Sequence, residues 1–438
     1  MKTQFSNIIE KAALILALVS PIVLKAQTDV ANLRAYDKTG INVFEAPKDT
    51  NAIFDRLKVQ WGAGFTQSFQ GLKHKNVSGG LYKMTPGFNT ANANLFMDVQ
   101  LAEGIRLNLT SYLSSRHHNE TWVKGGYIQF DRLPFKGQIW DDIMKLTTIK
   151  VGHMEINYGD QHFRRSDGGH TLYNPFAENY IMDAFTTEIG GEVLVRKSGF
   201  FGLVGITNGM IKGNIDSIVA TPQDSDIHKS PAVYLKAGFD KQLTQSIRLR
   251  ISGSYYGNKS SGGNTLYAGD RTGSNYFMVL EKVGSKSADQ FTSGRVSPGF
   301  SKRVDAVQVS GFAKAYGLEL FGTYEMAKGR TRSEVNDRKA TQYAVDAVYR
   351  IGAAENFFVG ARYNVLEYRP MNVTGATPIT YTQDVKVDRI TFGAGWFLTN
   401  NILLKGEYVK QQHKDYPASN IFNGGEFKGY VIQAVVGF

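Results

Sequence analysis

The sequence predicts an all-β fold, a transmembrane antiparallel β-barrel of about 16 strands, an even number as bacterial barrels require. Three observations carry the prediction. From Leu57 onward, segments of about ten residues alternate apolar and polar positions, the length a tilted strand needs to cross hydrocarbon. The connections between these segments alternate between tight turns and long polar stretches, which is the pattern of short periplasmic turns and long extracellular loops. The chain also ends on an aromatic residue, Phe438, after an alternating run with Tyr430, Ile432, Ala434 and Val436 on one face.

In chain order the predicted strands are Leu57 to Phe69, Asn94 to Leu101, Ile105 to Ser115, Thr121 to Asp131, Thr147 to Ile156, Thr187 to Lys197, Phe200 to Asn208 and Ala232 to Lys241. They continue with Ile247 to Gly257, Arg303 to Phe312, Leu318 to Ala327, Thr341 to Arg350, Phe357 to Glu367, Val385 to Leu398, Ile402 to Gln411 and Phe427 to Phe438. The alternation is cleanest at Ile247, Leu249, Ile251 and Gly253 against Arg248, Arg250, Ser252 and Ser254. One face suits lipid and the other suits water. Secreted sandwiches and propellers also alternate, but their strands run to about five or six residues.

Residues 102–104, Ser198 with Gly199, and residues 399–401 read as tight turns, whereas 70–93, 157–186, 209–231, 258–302, 368–384 and 412–426 read as long loops. Two connections depart from this rhythm. Arg116 to Glu120 is short for an outer loop, and residues 132–146 are long for an inner turn and have the composition of a short helix.

Ahead of the strands, Lys2 and Lys11, an apolar run from Ala12 to Leu24, and small Ala26 before Gln27 have the layout of a secretory signal. The run is too short to span a bilayer as a helix. Cleavage is expected after Ala26, with residues 27–56 a periplasmic extension and 57–438 the barrel. Loss of residues 1–26, with three lysines and one glutamate, takes the formal charge from +11 to +9. A basic exported chain meets anionic solutes, lipid and lipopolysaccharide sooner than nucleic acid. With no cysteine, disulfides, thiolate metal sites and cysteine nucleophiles are excluded. The 46 glycines exceed the usual share of about 7%, aromatic residues reach 12%, and mean hydropathy is −0.26. That composition suits a lumen-lined barrel with aromatic girdles rather than a helical membrane protein.

Arg164 and Arg165, flanked by His162, Asp167 and His170 in the loop after the fifth predicted strand, are the candidate constriction of a lumen. The competing reading is a solvated loop whose arginines pair with Asp160 and Asp167. Asp160, His162, Ser166, Asp167 and His170 also have the residue types of a metal or hydrolase site, yet no HExxH, GxSxG or Gly-rich phosphate loop occurs in the chain. No cofactor is expected. Among inward-facing cations the candidates are Arg106, Arg248, Arg250 and Arg362; Arg248 and Arg250 stand two apart on one face with no acid between them. Cross-strand pairing with inward acids would stiffen the wall without setting selectivity.

Three stretches, LKVQWGAGFTQSFQGL from Leu57, VGHMEINYGDQHFRRSDGGH from Val151 and NPFAENYIMDAFTTEIGGEV from Asn174, resemble the porin family named after the phosphate-selective porins O and P, in its Bacteroidetes-type branch. The resemblance implies a sixteen-stranded outer-membrane barrel, usually a homotrimer, with loops folded inward and a basic path for anions. Phe438 resembles the C-terminal signal that barrel-assembly machinery reads. The expected function is passive diffusion of small hydrophilic solutes with a mild anion preference, phosphate among them. The alternative is a structural or assembly barrel with a plugged lumen, whose loops bind a partner or polysaccharide; the Ser- and Gly-rich loop from Asn258 to Lys302 motivates it.

Overall fold

The computed structural model describes residues 30–48, 54–114, 116–117, 120–213, 217–225, 228–375 and 378–438. The expected signal and its boundary at Ala26 lie outside the described residues. Sixteen strands make the barrel: β1 (Lys58–Lys75), β2 (Asn92–Ala102), β3 (Ile105–Leu113), β4 (Trp122–Phe130), β5 (Thr147–Glu155), β6 (Thr187–Lys197), β7 (Phe200–Thr207) and β8 (Ala232–Gln242). They continue as β9 (Ile247–Asn258), β10 (Arg303–Ala315), β11 (Leu318–Arg330), β12 (Arg338–Ile351), β13 (Phe357–Tyr368), β14 (Val385–Phe397), β15 (Ile402–Lys414) and β16 (Glu426–Gly437). Each pairs antiparallel with the next. The sheet closes where β1 meets β16, from Gly64 opposite Gly437 to Lys75 opposite Glu426. A two-residue strand, Gly87–Phe88, adds to the outer half of β1. All sixteen predicted strands are present.

Alternation dictates which face each residue takes. In β9, Leu249, Ile251 and Tyr255 are exposed on the outside while Arg250, Ser252, Ser254 and Tyr256 are buried inside. This inverts a soluble protein because lipid covers the outer face, and closure gives each of the sixteen barrel strands a partner on both sides. Aromatic residues mark two levels of the outer face. Toward the turns, Phe357 stacks on Trp396 and Phe200 packs on Phe239. Toward the loops, Tyr324 faces Tyr343 and Tyr408 faces Tyr430 across neighbouring strands.

Tight turns join strands at one end. Ser198 and Gly199 both take positive φ, at 54° and 90°, the geometry of a two-residue hairpin turn whose twist matches its strands. The long inner connection does contain a helix, α1 (Gln138–Leu146). After β3, His117 stacks on Trp122 of β4.

The lumen is largely filled. Residues 157–186 leave β5, cross the interior and return to β6, almost all of them buried. On the way Asp160 meets Arg250 of β9, Ile181 N–H donates to Asn364 of β13, Met182 N–H to Gln342 of β12, and Ala177 N–H to Glu407 of β15. Lys405 donates to the carbonyls of Thr171, Asn174 and Phe176 at 2.7, 2.8 and 2.9 Å. The turn of this loop packs on the barrel seam. Thr66 Oγ1 donates to Gly169 O at 2.7 Å, and a Cβ on Gly169 would stand 2.3 Å from Ala93 Cα.

Much of residues 258–302 also turns inward, with residues 282–289 largely exposed. Glu325 accepts the hydroxyls of both Tyr158 and Tyr267, one from each loop. Arg295 binds Glu178, Asp183 and Asp270 at 2.7, 3.3 and 2.6 Å. The two loops are thereby cross-linked.

Residues 30–48, read from sequence as part of a periplasmic extension, lie across the turn-side mouth. Tyr36 donates to Asp98 of β2, Asn42 to Glu319 of β11, and Lys48 binds Asp131. Phe44 is buried against Phe163 and Phe312.

Candidate functional site

Among the described residues the lumen holds a cavity of about 250 Å³ on the β2–β6 side. Its wall runs from Arg106 to Thr110 on β3, from Lys124 to Gln129 on β4, from Thr148 to Glu155 on β5 and from Thr187 to Arg196 on β6. Nine steps along β6 cover about 30 Å of strand. The cavity therefore follows most of the wall's height. Its inner side is formed by residues of the mouth segment and of the 157–186 loop, among them Tyr36, Phe44, His162, Phe163 and Arg165. Two wider depressions, about 590 and 460 Å³, open among the turns around Arg248 and are lined in part by Asn42 and Glu45. They belong to the rim.

Six cations line the inner cavity, namely Arg34, Arg106, Lys124, Lys150, Arg165 and Arg196, against four carboxylates, Glu45, Glu155, Asp167 and Glu192. The cations differ in what they have left to offer a solute. Arg106 is committed to Asp98 at 2.7 Å and Gln129 at 2.8 Å, and Lys124 binds Asp167. Lys150 lies 3.3 Å from Glu192 and keeps 26% of its side chain exposed. Arg196 donates from Nη1 to Ala46 O at 2.7 Å. Lys150 and Arg196 sit on adjacent strands, with Lys150 directly opposite Glu192 and Arg196 four residues further along the strand, about 13 Å at about 3.3 Å per residue.

The residues singled out from sequence are mostly paired. Arg165 is buried, binds Asp183 and Asp270 at 2.6 Å each and Asp167 at 3.1 Å, and stacks on Phe185. Arg164 donates to Asn42, lies 3.6 Å from Glu319 and sits over Phe312 and Phe321. It does not line the cavity. His162 contacts Glu155 and Asn157. Arg250 holds Asp160 and Glu45 in bidentate fashion, at 2.7 to 2.9 Å. Arg248 pairs with Asp240, and Arg362 with Asp346, each at 2.7 Å. Phe438 follows β16, its ring exposed and its carbonyl accepting from Ala63 N–H at 2.8 Å.

Electrostatics fix the mouth segment and the loop. Burial works to raise the Glu45 carboxyl, but Lys236 and Arg250 outweigh it and hold it down at about 2. Burial lowers the His170 imidazole to about 4 against its bond to Tyr36 O. It also lowers His162, with Glu155 opposing. Buried hydrogen-bonded networks of this kind rigidify the arrangement they hold.

Lys124 and Lys150 were missed from sequence. The signal for Lys150 was present, since it lies between Ile149 and Val151 in an alternating run.

The sequence matches no family model and no curated protein. In backbone the chain is similar to the anion-selective porin from Comamonas acidovorans, with a TM-score of 0.52, 11% identity, and coverage of 87% of this chain and 100% of that one. It is similar as well to a loop L8 deletion mutant of OmpT, an outer membrane protein of Vibrio cholerae, with a TM-score of 0.50, 11% identity, and coverage of 88% and 100%. At these identities the likeness establishes the fold.

Proposed function

We propose that the chain is an outer-membrane porin for passive diffusion of small hydrophilic solutes, with a mild preference for anions. The observation that carries this reading is the cation-rich cavity running along β3–β6 beside the filled part of the lumen. Lys150 and Arg196 supply the preference, because the Lys150 side chain stays partly exposed and Arg196 is bound to a backbone carbonyl rather than to a carboxylate. Arg164 and Arg165 hold the inner loop in place. Membership of the family named after the phosphate-selective porins O and P, homotrimeric assembly, and export by a signal cleaved after Ala26 complete the proposal. Purified protein in planar bilayers gives ohmic channels whose reversal potential in a KCl gradient has the sign of an anion-preferring pore. No conductance above a protein-free control overturns the reading.

A second reading, a plugged barrel whose outer loops bind a partner, draws on the inward packing of residues 157–186 and 258–302. Limited proteolysis of intact cells separates the two. A removable plug resists cleavage and then opens the channel, whereas a partner-binding loop is cut with conductance unchanged.

A further inference from the structure

The helix α1 lies at the turn side between β4 and β5 and packs against β5 and β6. At 100° per residue, Leu146, Ile139, Ile143, Trp140 and Met144 share one arc of about 160°. Gln138, Asp141, Asp142 and Lys145 occupy the other side. A helix that packed its apolar arc on protein would bury that arc, yet only Met144 is buried. Ile139 is 74% exposed, Ile143 47% and Trp140 43%. Just before the helix, Phe135 is exposed as well and its ring lies 5.7 Å from that of Trp140.

The neighbouring wall shows what covers this face. Val151 of β5 and Val195 of β6, on the strands that α1 contacts, are exposed outward residues of the apolar band that lipid covers. The uncovered arc thus adjoins a surface already committed to hydrocarbon. Nine residues span about 14 Å at 1.5 Å each, far short of the roughly 30 Å of a bilayer core. The helix can therefore only lie at the boundary, as short amphipathic helices do. The geometry points to α1 as an interfacial anchor, seated among the headgroups and upper acyl chains of the phospholipid leaflet on the turn side, with Ile139, Trp140 and Ile143 immersed. This does not depend on whether the barrel conducts.

The chain has no cysteine, so single labels can be introduced directly. Ile139→Cys, Ile143→Cys and, on the polar arc, Asp142→Cys are each spin-labelled and reconstituted in phosphatidylethanolamine and phosphatidylglycerol vesicles, with folding checked by heat-modifiable migration. Labels at 139 and 143 are expected to collide more with oxygen and less with a water-soluble nickel chelate than the label at 142, and to lose that contrast in urea-solubilised protein. Equal, nickel-accessible behaviour at all three positions overturns the proposal. So does dipolar broadening at 139 and 143 that disappears on dilution with unlabelled protein, since a second copy of the chain would then cover the face.

Discussion

Replacing Lys150 and Arg196 together by glutamine is expected to reduce the anion preference of the reconstituted channel. Lys150 has one carboxylate neighbour, Glu192 at 3.3 Å, which offsets part of its charge, whereas Arg196 has a backbone carbonyl partner, so Arg196 projects the larger share into the cavity. An anion about 5 Å from one such charge gains roughly 0.8 kcal/mol at the dielectric of water, and screening over a Debye length of about 8 Å leaves roughly 0.4 kcal/mol. That corresponds to about twofold in local anion population for each uncompensated charge and to at most about fourfold for both. Starting from a fourfold anion preference, its loss would move the reversal potential in a tenfold KCl gradient by about 28 mV, at about 59 mV per decade for a univalent ion. A lower effective dielectric in the cavity enlarges the shift. The assay is single-channel recording on double-variant and wild-type barrels of equal folded fraction, with Arg164→Gln as the comparison. Arg164 is buried on Asn42 and Glu319 and should leave selectivity unchanged. An unaltered reversal potential in the double variant, or an equal shift from Arg164→Gln, would refute the assignment.

Lys405→Met removes the donor to three buried carbonyls of the inner loop. At roughly 1 to 3 kcal/mol for each polar group left without a partner, the loop loosens by several kcal/mol, which appears as faster amide exchange across residues 171–177 and noisier open-channel current. The depressed His170 pKa, about 4 in the folded chain against about 6.5 unfolded, gives a pH dependence of definite sign. Its contribution is complete above about pH 6.5 and is lost as pH falls toward 4, by about 3 kcal/mol in all, so amide protection around Tyr36 should decline over that window. A chain lacking residues 30–48 withdraws Glu45 from Arg250 and Lys236 and uncovers the turn-side mouth. Higher unit conductance is the expected result, and an unchanged conductance would place the narrowest point elsewhere.

Strand number, order and facing were legible because period-two alternation is a local signal. The main shortfall was β1, expected to end at Phe69 but continuing to Lys75. Its inward Leu72 is apolar because Tyr276 and Leu280 of the folded-in loop cover it, which breaks the alternation that marks a water-facing wall. The inward excursion of residues 157–186 was readable from length and position. The partners of its arginines were not, since Asp270 lies 105 residues from Arg165 and Asn42 lies 122 from Arg164. The mouth segment was illegible for the same reason. Its apolar residues show no periodicity, and its bonds reach strands as distant as β11, 277 residues from Asn42.

Loops are ordinarily the part of a scaffold that tolerates change. The turn of the inner loop does not have that freedom, because the seam between the first and last strands is laid over it. Gly169 has the backbones of Ala93 and Gly64 within 2.5 Å of where a side chain would begin, and a Cβ on Gly64 would meet His170 at 2.8 Å. A methyl group added at Gly169 is therefore felt as pressure on the pairing of β1 with β2, one strand from the junction that closes the cylinder. In a mutational scan these residues should sort with the wall, their variants failing to mature rather than maturing with altered traffic.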